Sequence, residues 1–195
     1  MTLSVLDPNA ALVLIDLQRG IVGRAAAPVS PAEVVAQAVL LANAFRDRDL
    51  LVVLVRVTMS LDGKDVTPGR TEFARSGGSP PEGWDEIVDE LSGHPSDVVV
   101  SKRNWSAFYG TDLDLQLRRR GVTQIVLAGI STSIGVESTA RSAFEHGYHV
   151  VLVTDAMTDT IGEAHVNSVE RIFPRLGETT TTPRVVELLA VRAAG

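Results

Sequence analysis

The stretch Gln124-Ile-Val-Leu-Ala-Gly-Ile-Ser-Thr-Ser-Ile-Gly-Val-Glu-Ser-Thr-Ala-Arg141 reads in three parts. Gln124 to Ile130 is an apolar run of the kind that forms a strand buried on both faces. Ser131-Thr-Ser133 is a tight polar turn. From Ile134 the pattern becomes helical and continues to His146, where Gly147 stops it. A turn between a buried strand and a helix aims backbone N–H groups at whatever lies above the strand's end.

The same alternation extends in both directions. Strands are predicted at Ala11 to Leu17, Leu50 to Val57, Asp97 to Ser101 and His149 to Thr154, with a weaker one at Glu178 to Thr181. Helices are predicted near 31–48, 111–120, 134–146, 162–173 and 183–192, the last with Pro183 at its first position. Continuous Val/Leu/Ile strands alternating with helices argue for an α/β class, a doubly wound and mainly parallel six-stranded sheet. The 195 residues suit one domain with a substantial core, and no internal repeat or low-complexity tract is seen.

Composition excludes several functions. With no cysteine, the chain has no disulfide, thiolate metal site or thiol nucleophile. A net charge of −6 argues against a nucleic-acid partner. The basic cluster Arg118-Arg-Arg120 falls at a helix end, where cations complement the dipole. No apolar run approaches the roughly 20 residues that cross a bilayer, so the expectation is a cytoplasmic protein without a membrane partner.

Two ionisable residues fall where parallel strands end. Asp16 closes Ala11-Leu-Val-Leu-Ile-Asp16, and a carboxylate there is costly to bury unless paired or protonated. It is either catalytic or a cap on a neighbouring loop. Lys102 follows the third strand and so shares the sheet edge with Asp16; by itself it reads as a surface lysine, and it becomes a site candidate only together with Asp16 and the turn. Thr58 to Gly83, rich in Gly, Pro, Ser and Asp, follows the second strand and is either a substrate lid or a flexible insertion.

These residues carry a resemblance. Gly129-Ile-Ser-Thr-Ser-Ile-Gly135-Val-Glu-Ser-Thr-Ala140 is similar to the Gly-x-x-Thr-x-x-Cys-Val-x-x-Thr-Ala turn of the isochorismatase-like hydrolases, or cysteine hydrolase superfamily. Ile15-Asp-Leu-Gln18 resembles their Ile-Asp-x-Gln, and Lys102 followed by Ser106-Ala-Phe108 resembles their lysine segment. The one departure is Gly135, which stands where the family has its attacking cysteine. The resemblance implies an α/β/α sandwich with strand order 3-2-1-4-5-6 and a site between the first and fourth strands. It also implies a cis peptide between Ile130 and Ser131, and oxyanion donors at the N–H groups of Ser131 and Gly135. Ser133 is expected to cap the following helix through its hydroxyl.

Family isochorismatases also have glycine at that position and hydrolyse a vinyl ether without a covalent intermediate. The resemblance therefore implies a cofactor-independent hydrolase of a small anionic, isochorismate-type substrate, with Asp16 donating a proton to carbon and Lys102 as charge partner. Because a lysine beside Asp16 lowers its pKa, burial has to outweigh it for Asp16 to act as an acid. Gln18, Trp105, Phe108, Tyr109, Ser133 and Arg70 are the candidate substrate contacts, with Arg56 and Arg75 as rivals to Arg70 and ordinary core packing as the alternative for the aromatics. The isochorismatases' Thr-Ala-Gln segment is absent; Val57-Thr-Met-Ser60 stands there. Nor is the nicotinamidase Asp-x-His present, and His94, His146, His149 and His165 lack ligand spacing, so no metal and no cofactor is expected. His165 reads as a packed or capping residue, and Asp155 as a cap or a brace for the site. Two other readings use the same residues: an inactive relative that binds a small carboxylate or serves as a structural subunit, and an amidase with Ser131 or Ser133 as substitute nucleophile. A homodimer or higher homo-oligomer is expected, with the small residues Ser138, Ala140, Ser142 and Ala143 packing against either a partner or the protein's own sheet.

Overall fold

The computed structural model describes residues 3–24, 26–60, 62–66, 70–72 and 80–191. In chain order its elements are β1 (Ala10–Ile15), α1 (Arg19–Val22), α2 (Pro31–Arg46), β2 (Val52–Val57), β3 (Val98–Lys102), α3 (Leu113–Arg119), β4 (Gln124–Ile130), a π-helical turn (Thr132–Val136) running into α4 (Glu137–Glu145), β5 (His149–Thr158), α5 (Gly162–Asn167) with further helical turns to Arg175, β6 (Glu178–Thr180) and α6 (Thr182–Val191). All six strands are parallel, in the order β3-β2-β1-β4-β5-β6. The expected doubly wound sheet and its strand order are therefore both present.

Side chains of β1 alternate between two cores, which is why its sequence is apolar throughout. Ala10, Leu12 and Leu14 face α2 and α6, with Val34, Leu41, Phe45 and Leu189. Ala11, Val13 and Ile15 face α3 and α4, with Leu113, Leu117, Val136 and Ala140. Burying continuous Leu, Ile and Val side chains on both faces supplies about 1.5–3 kcal/mol each, the main force holding the layers together. Ser30 starts α2 with a reciprocal capping box to Glu33, and Pro31 occupies the first turn.

Local departures from the sequence reading have clear causes. The fifth strand runs on to Thr158 past the polar Thr154-Asp155, with a register shift opposite Leu127–Gly129 that absorbs the irregularity. Asp155 Oδ1 accepts from the N–H and hydroxyl of Thr182 at 2.8 and 3.1 Å, so it caps α6. The helix from Ile134 begins two residues earlier, as a π turn. In α4, Ala140 and Ala143 are buried against the protein's own sheet.

Candidate active site

Because every strand is parallel, the ends of β1, β3 and β4 deliver Asp16, Lys102 and the 131–135 turn to one edge of the sheet. Ile15 pairs with Gly129 across β1 and β4, and Val57 with Lys102 across β2 and β3. Asp16 then leaves the strand with φ 54°, a left-handed conformation that costs a non-glycine residue about 1–3 kcal/mol. Its N–H still donates to Val55 O at 2.9 Å, so the sheet holds the bend in place. Gly129, at φ 124°, lies where an added Cβ would run into the Ile15 carbonyl. That close approach brings the 131–135 turn up to Asp16.

Lys102 is 2% exposed and Asp16 5%. The ammonium reaches over the end of β2 and spends its three hydrogens on Asp16 Oδ2 at 2.7 Å, Trp105 O at 3.0 Å and Asn104 O at 3.2 Å. Asp16 Oδ1, by contrast, is buried and accepts no hydrogen bond. Burial pushes the Asp16 carboxyl up to about 6, against the opposing pull of Lys102 and the weaker one of the nearby Val57 N–H, which is itself donated to Gln18 Oε1 at 2.8 Å rather than to Asp16. Desolvation wins the contest that the sequence posed.

Gly135 closes the triangle. A Cβ built there would lie 3.2 Å from Asp16 Oδ2, 3.7 Å from Lys102 Nζ and 2.9 Å from Ile15 Cγ2. The first side-chain atom at this position would thus sit on the Asp–Lys pair, and Ile15 has closed over part of the space it would need. The Ile130–Ser131 peptide is cis. At the start of the helix at Thr132, Ser133 N–H donates to Asp159 Oδ2 at 2.7 Å and Ile134 N–H to Ser131 O at 3.3 Å.

The remaining candidates separate. Ser133 does not cap the helix with its hydroxyl, because that group donates to Asp159 Oδ2 at 2.8 Å. Thr132 Oγ1 lies 2.9 Å from His165 Nδ1, and burial holds the His165 ring below its ordinary value. Gln18 is buried and latched to the main chain of β2, donating to Val57 O at 3.0 Å and accepting from Val57 N–H at 2.8 Å. Phe108 is buried and stacks on His146 at 5.0 Å, whereas Trp105 and Tyr109 are 66% and 69% exposed. Arg56 donates to Ser101 Oγ at 3.0 Å and pairs with Asp85 at 3.8 Å. Arg70 is exposed, while Arg75 and much of the 58–83 loop lie outside the described residues. Among the described residues, no group of three His, Cys, Asp or Glu is placed to hold a metal ion, and no helix is long and apolar enough to cross a membrane. A cavity of about 450 Å³, lined by Ala27, Pro28, Gly162, Glu163 and Val166, shares no residue with the Asp16 cluster and has few polar groups to orient a ligand.

Sequence reasoning missed Asp159, which is 1% exposed and also accepts from Ile161 N–H at 3.1 Å. Its only signal was a second acid soon after a strand end, next to Asp155.

A doubly wound sheet whose strand ends gather a buried Asp–Lys pair beside a cis-peptide turn defines an isochorismatase-type hydrolase scaffold. The Isochorismatase domain model matches residues 10–184, and the chain belongs to the isochorismatase family. It is 44% identical over 189 residues to the isochorismatase family protein YwoC of Bacillus subtilis (strain 168), covering 95% of this chain and 97% of that one. A solved isochorismatase family protein from Burkholderia thailandensis superposes with a TM-score of 0.91 at 46% identity, covering 95% and 98% of the two chains. The ureidoacrylate amidohydrolase RutB of Agrobacterium fabrum (strain C58 / ATCC 33970) is 42% identical over 95 residues, 46% of this chain and 42% of RutB.

Proposed function

We propose that this hydrolase acts without a covalent intermediate, Asp16 donating a proton to the enol carbon of a small anionic vinyl ether of the isochorismate type. The observation that carries this reading is the asymmetry of Asp16: Oδ2 is fixed by Lys102, while Oδ1 is buried, unpartnered and raised in affinity for protons. In the reaction the Oδ1–H bond breaks and a C–H bond forms, leaving an oxocarbenium ion; water adds to it and returns one proton to Asp16, and the resulting hemiketal collapses to a 2-oxo acid as its hydroxyl proton passes to the departing alcohol oxygen. The N–H groups of Ser131 and Gly135 are the proposed donors to substrate oxygen. Lys102 holds Asp16 in register and balances the charge left on it, since its three hydrogens are already taken.

Gly135 removes the competing chemistry. An attacking thiol would stand beside Asp16 Oδ2, and here there is no side chain at all. The hydroxyls of Thr132 and Ser133 are turned to His165 and Asp159, which speaks against a substitute serine at 133. The test is pyruvate release from isochorismate by the purified protein, beside Asp16→Ala and Lys102→Ala. Release that disappears with Asp16→Ala supports the reading; no release by the wild type, or release that survives Asp16→Ala, overturns it.

A further inference from the structure

An oxygen placed to give a proton to carbon is also placed to take one away. Asp16 Oδ1 is the one buried carboxylate oxygen without a partner among the described residues, and Oδ2, 2.7 Å from Lys102 Nζ, anchors the group so that Oδ1 alone is available. No nucleophilic atom stands at residue 135 to divert a bound carbonyl into a covalent adduct, and the hydroxyls of Ser133 and Thr132 are committed to Asp159 and His165. A base, a fixed cation behind it and main-chain donors at a helix start are what carbon–hydrogen bond breaking next to a carbonyl requires.

We propose a second activity at this site: reversible enolisation of a small 2-oxo acid, with Asp16 Oδ1 as the base. This rests on the same assignment of Asp16 as a group that exchanges protons with carbon. In the forward step Asp16 Oδ1 forms a bond to the α-hydrogen and the C–H bond breaks. Its electron pair becomes the C=C bond of the enolate, and the carbonyl π electrons move to oxygen, where the N–H groups of Ser131 and Gly135 receive the charge. The reverse step returns a hydrogen from Asp16 to carbon. In D2O the carboxyl exchanges its proton with solvent between the two steps, so deuterium enters the α-position with no other reactant consumed. The Asp16 pKa, which burial raises to about 6, leaves both protonation states populated close to neutrality, as a two-way transfer needs.

The experiment follows the methyl proton signal of pyruvate in D2O by NMR with the full-length protein, alongside Asp16→Asn, the exposed-surface control Glu170→Gln and heat-denatured wild type. Isochorismate hydrolysis is measured on the same preparations. The expected result is signal loss at least tenfold faster with wild type and Glu170→Gln than with denatured protein, and loss at the denatured rate with Asp16→Asn. Wild-type exchange no faster than the denatured control overturns the proposal, whether or not isochorismate is hydrolysed. Exchange that persists in Asp16→Asn also overturns it. Exchange without isochorismate hydrolysis sustains this activity and removes the hydrolytic reading instead. Because the wild-type arm decides the matter, misfolding of the Asn variant does not blunt the test; its thermal melt shows whether its arm counts.

Discussion

Lys102 Nζ lies 2.7 Å from Asp16 Oδ2, and its other two hydrogens go to the carbonyls of Asn104 and Trp105. The lysine is therefore an anchor for one carboxylate oxygen rather than a free hand for substrate. Removing one partner of a buried pair costs about 3–5 kcal/mol when the other stays charged. Asp16 can escape that cost by taking up a proton, so Lys102→Met is expected to fall at or below the lower end of the range. The pKa of its Asp16 should move upward, because the cation that lowers it is gone. Denaturant melts measure the first effect and pH–rate profiles the second.

Activity that needs protonated Asp16 is expected to decline as pH rises through about 6. The stability linkage has the same direction. A carboxyl raised from 3.8 to about 6 on folding stabilises the protein fully below 3.8, and that contribution is lost as pH climbs to about 6. The loss is of the order of 3 kcal/mol, at 1.36 kcal/mol per unit. His165 works the other way, since its lowered value makes the folded state disfavour the protonated ring as pH falls below its ordinary 6.5. Comparing thermal melts of wild type and Asp16→Asn at pH 4 and pH 6 isolates the Asp16 contribution: the wild type should lose more stability than the variant between them.

Gly135→Ala tests the packing at the turn. In an ordinary helix the change stabilises by about 1 kcal/mol. Here the new Cβ would lie 2.9 Å from Ile15 Cγ2 and 3.2 Å from Asp16 Oδ2, so the sign should reverse, with overpacking costing about 1–3 kcal/mol. Ile15→Leu moves the branch away from Cβ and removes Cγ2. The alanine is expected to be better tolerated in that background, a coupling that a double-mutant cycle of urea midpoints would measure.

Asp159→Ala would leave the N–H of Ser133 and of Ile161 without their carboxylate acceptor. A loss of about 2–4 kcal/mol is expected, since each buried donor left unsatisfied costs about 1–3 kcal/mol. Asp159→Asn, which keeps an acceptor oxygen, should cost less. Equal destabilisation by the two would contradict the hydrogen-bond account.

Trp105, Tyr109 and Phe144 are exposed, and Ser106 Oγ bonds to Ser142 Oγ at 2.9 Å, so the Trp105–Tyr109 segment lies against α4. A homo-oligomer is the expectation. Sedimentation at high concentration that shows only monomer would refute it, and Trp105→Asp should weaken association if this face is used.

The sheet was legible because burial on both faces favours apolar residues: β1 is apolar throughout, β2 as far as Val55 and β4 after Gln124. Parallel topology then places Asp16 and Lys102 on one edge. What one sequence could not show were contacts whose partners are far apart along the chain and polar at both ends. The Ser133–Asp159 bond spans 26 residues, and the Gln18 latch on Val57 spans 39. A serine at a helix start reads as a cap from local pattern alone, and a glutamine after an aspartate reads as a substrate contact. Only the fold shows that each is already occupied. Likewise, nothing in Trp105, Phe108 and Tyr109 distinguishes the one that packs inward from the two that face water.

Asp16 and Lys102 are carried by β1 and β3, whereas residue 135 belongs to the helical layer. A thiol at 135 would tie the reacting atom to that outer layer, so that any shift of the helix against the sheet would misalign attack. With glycine there, every atom that handles protons is mounted on the sheet itself. The spacing of the acid and its anchor is then set by strand pairing, whatever side chains the helical layer carries.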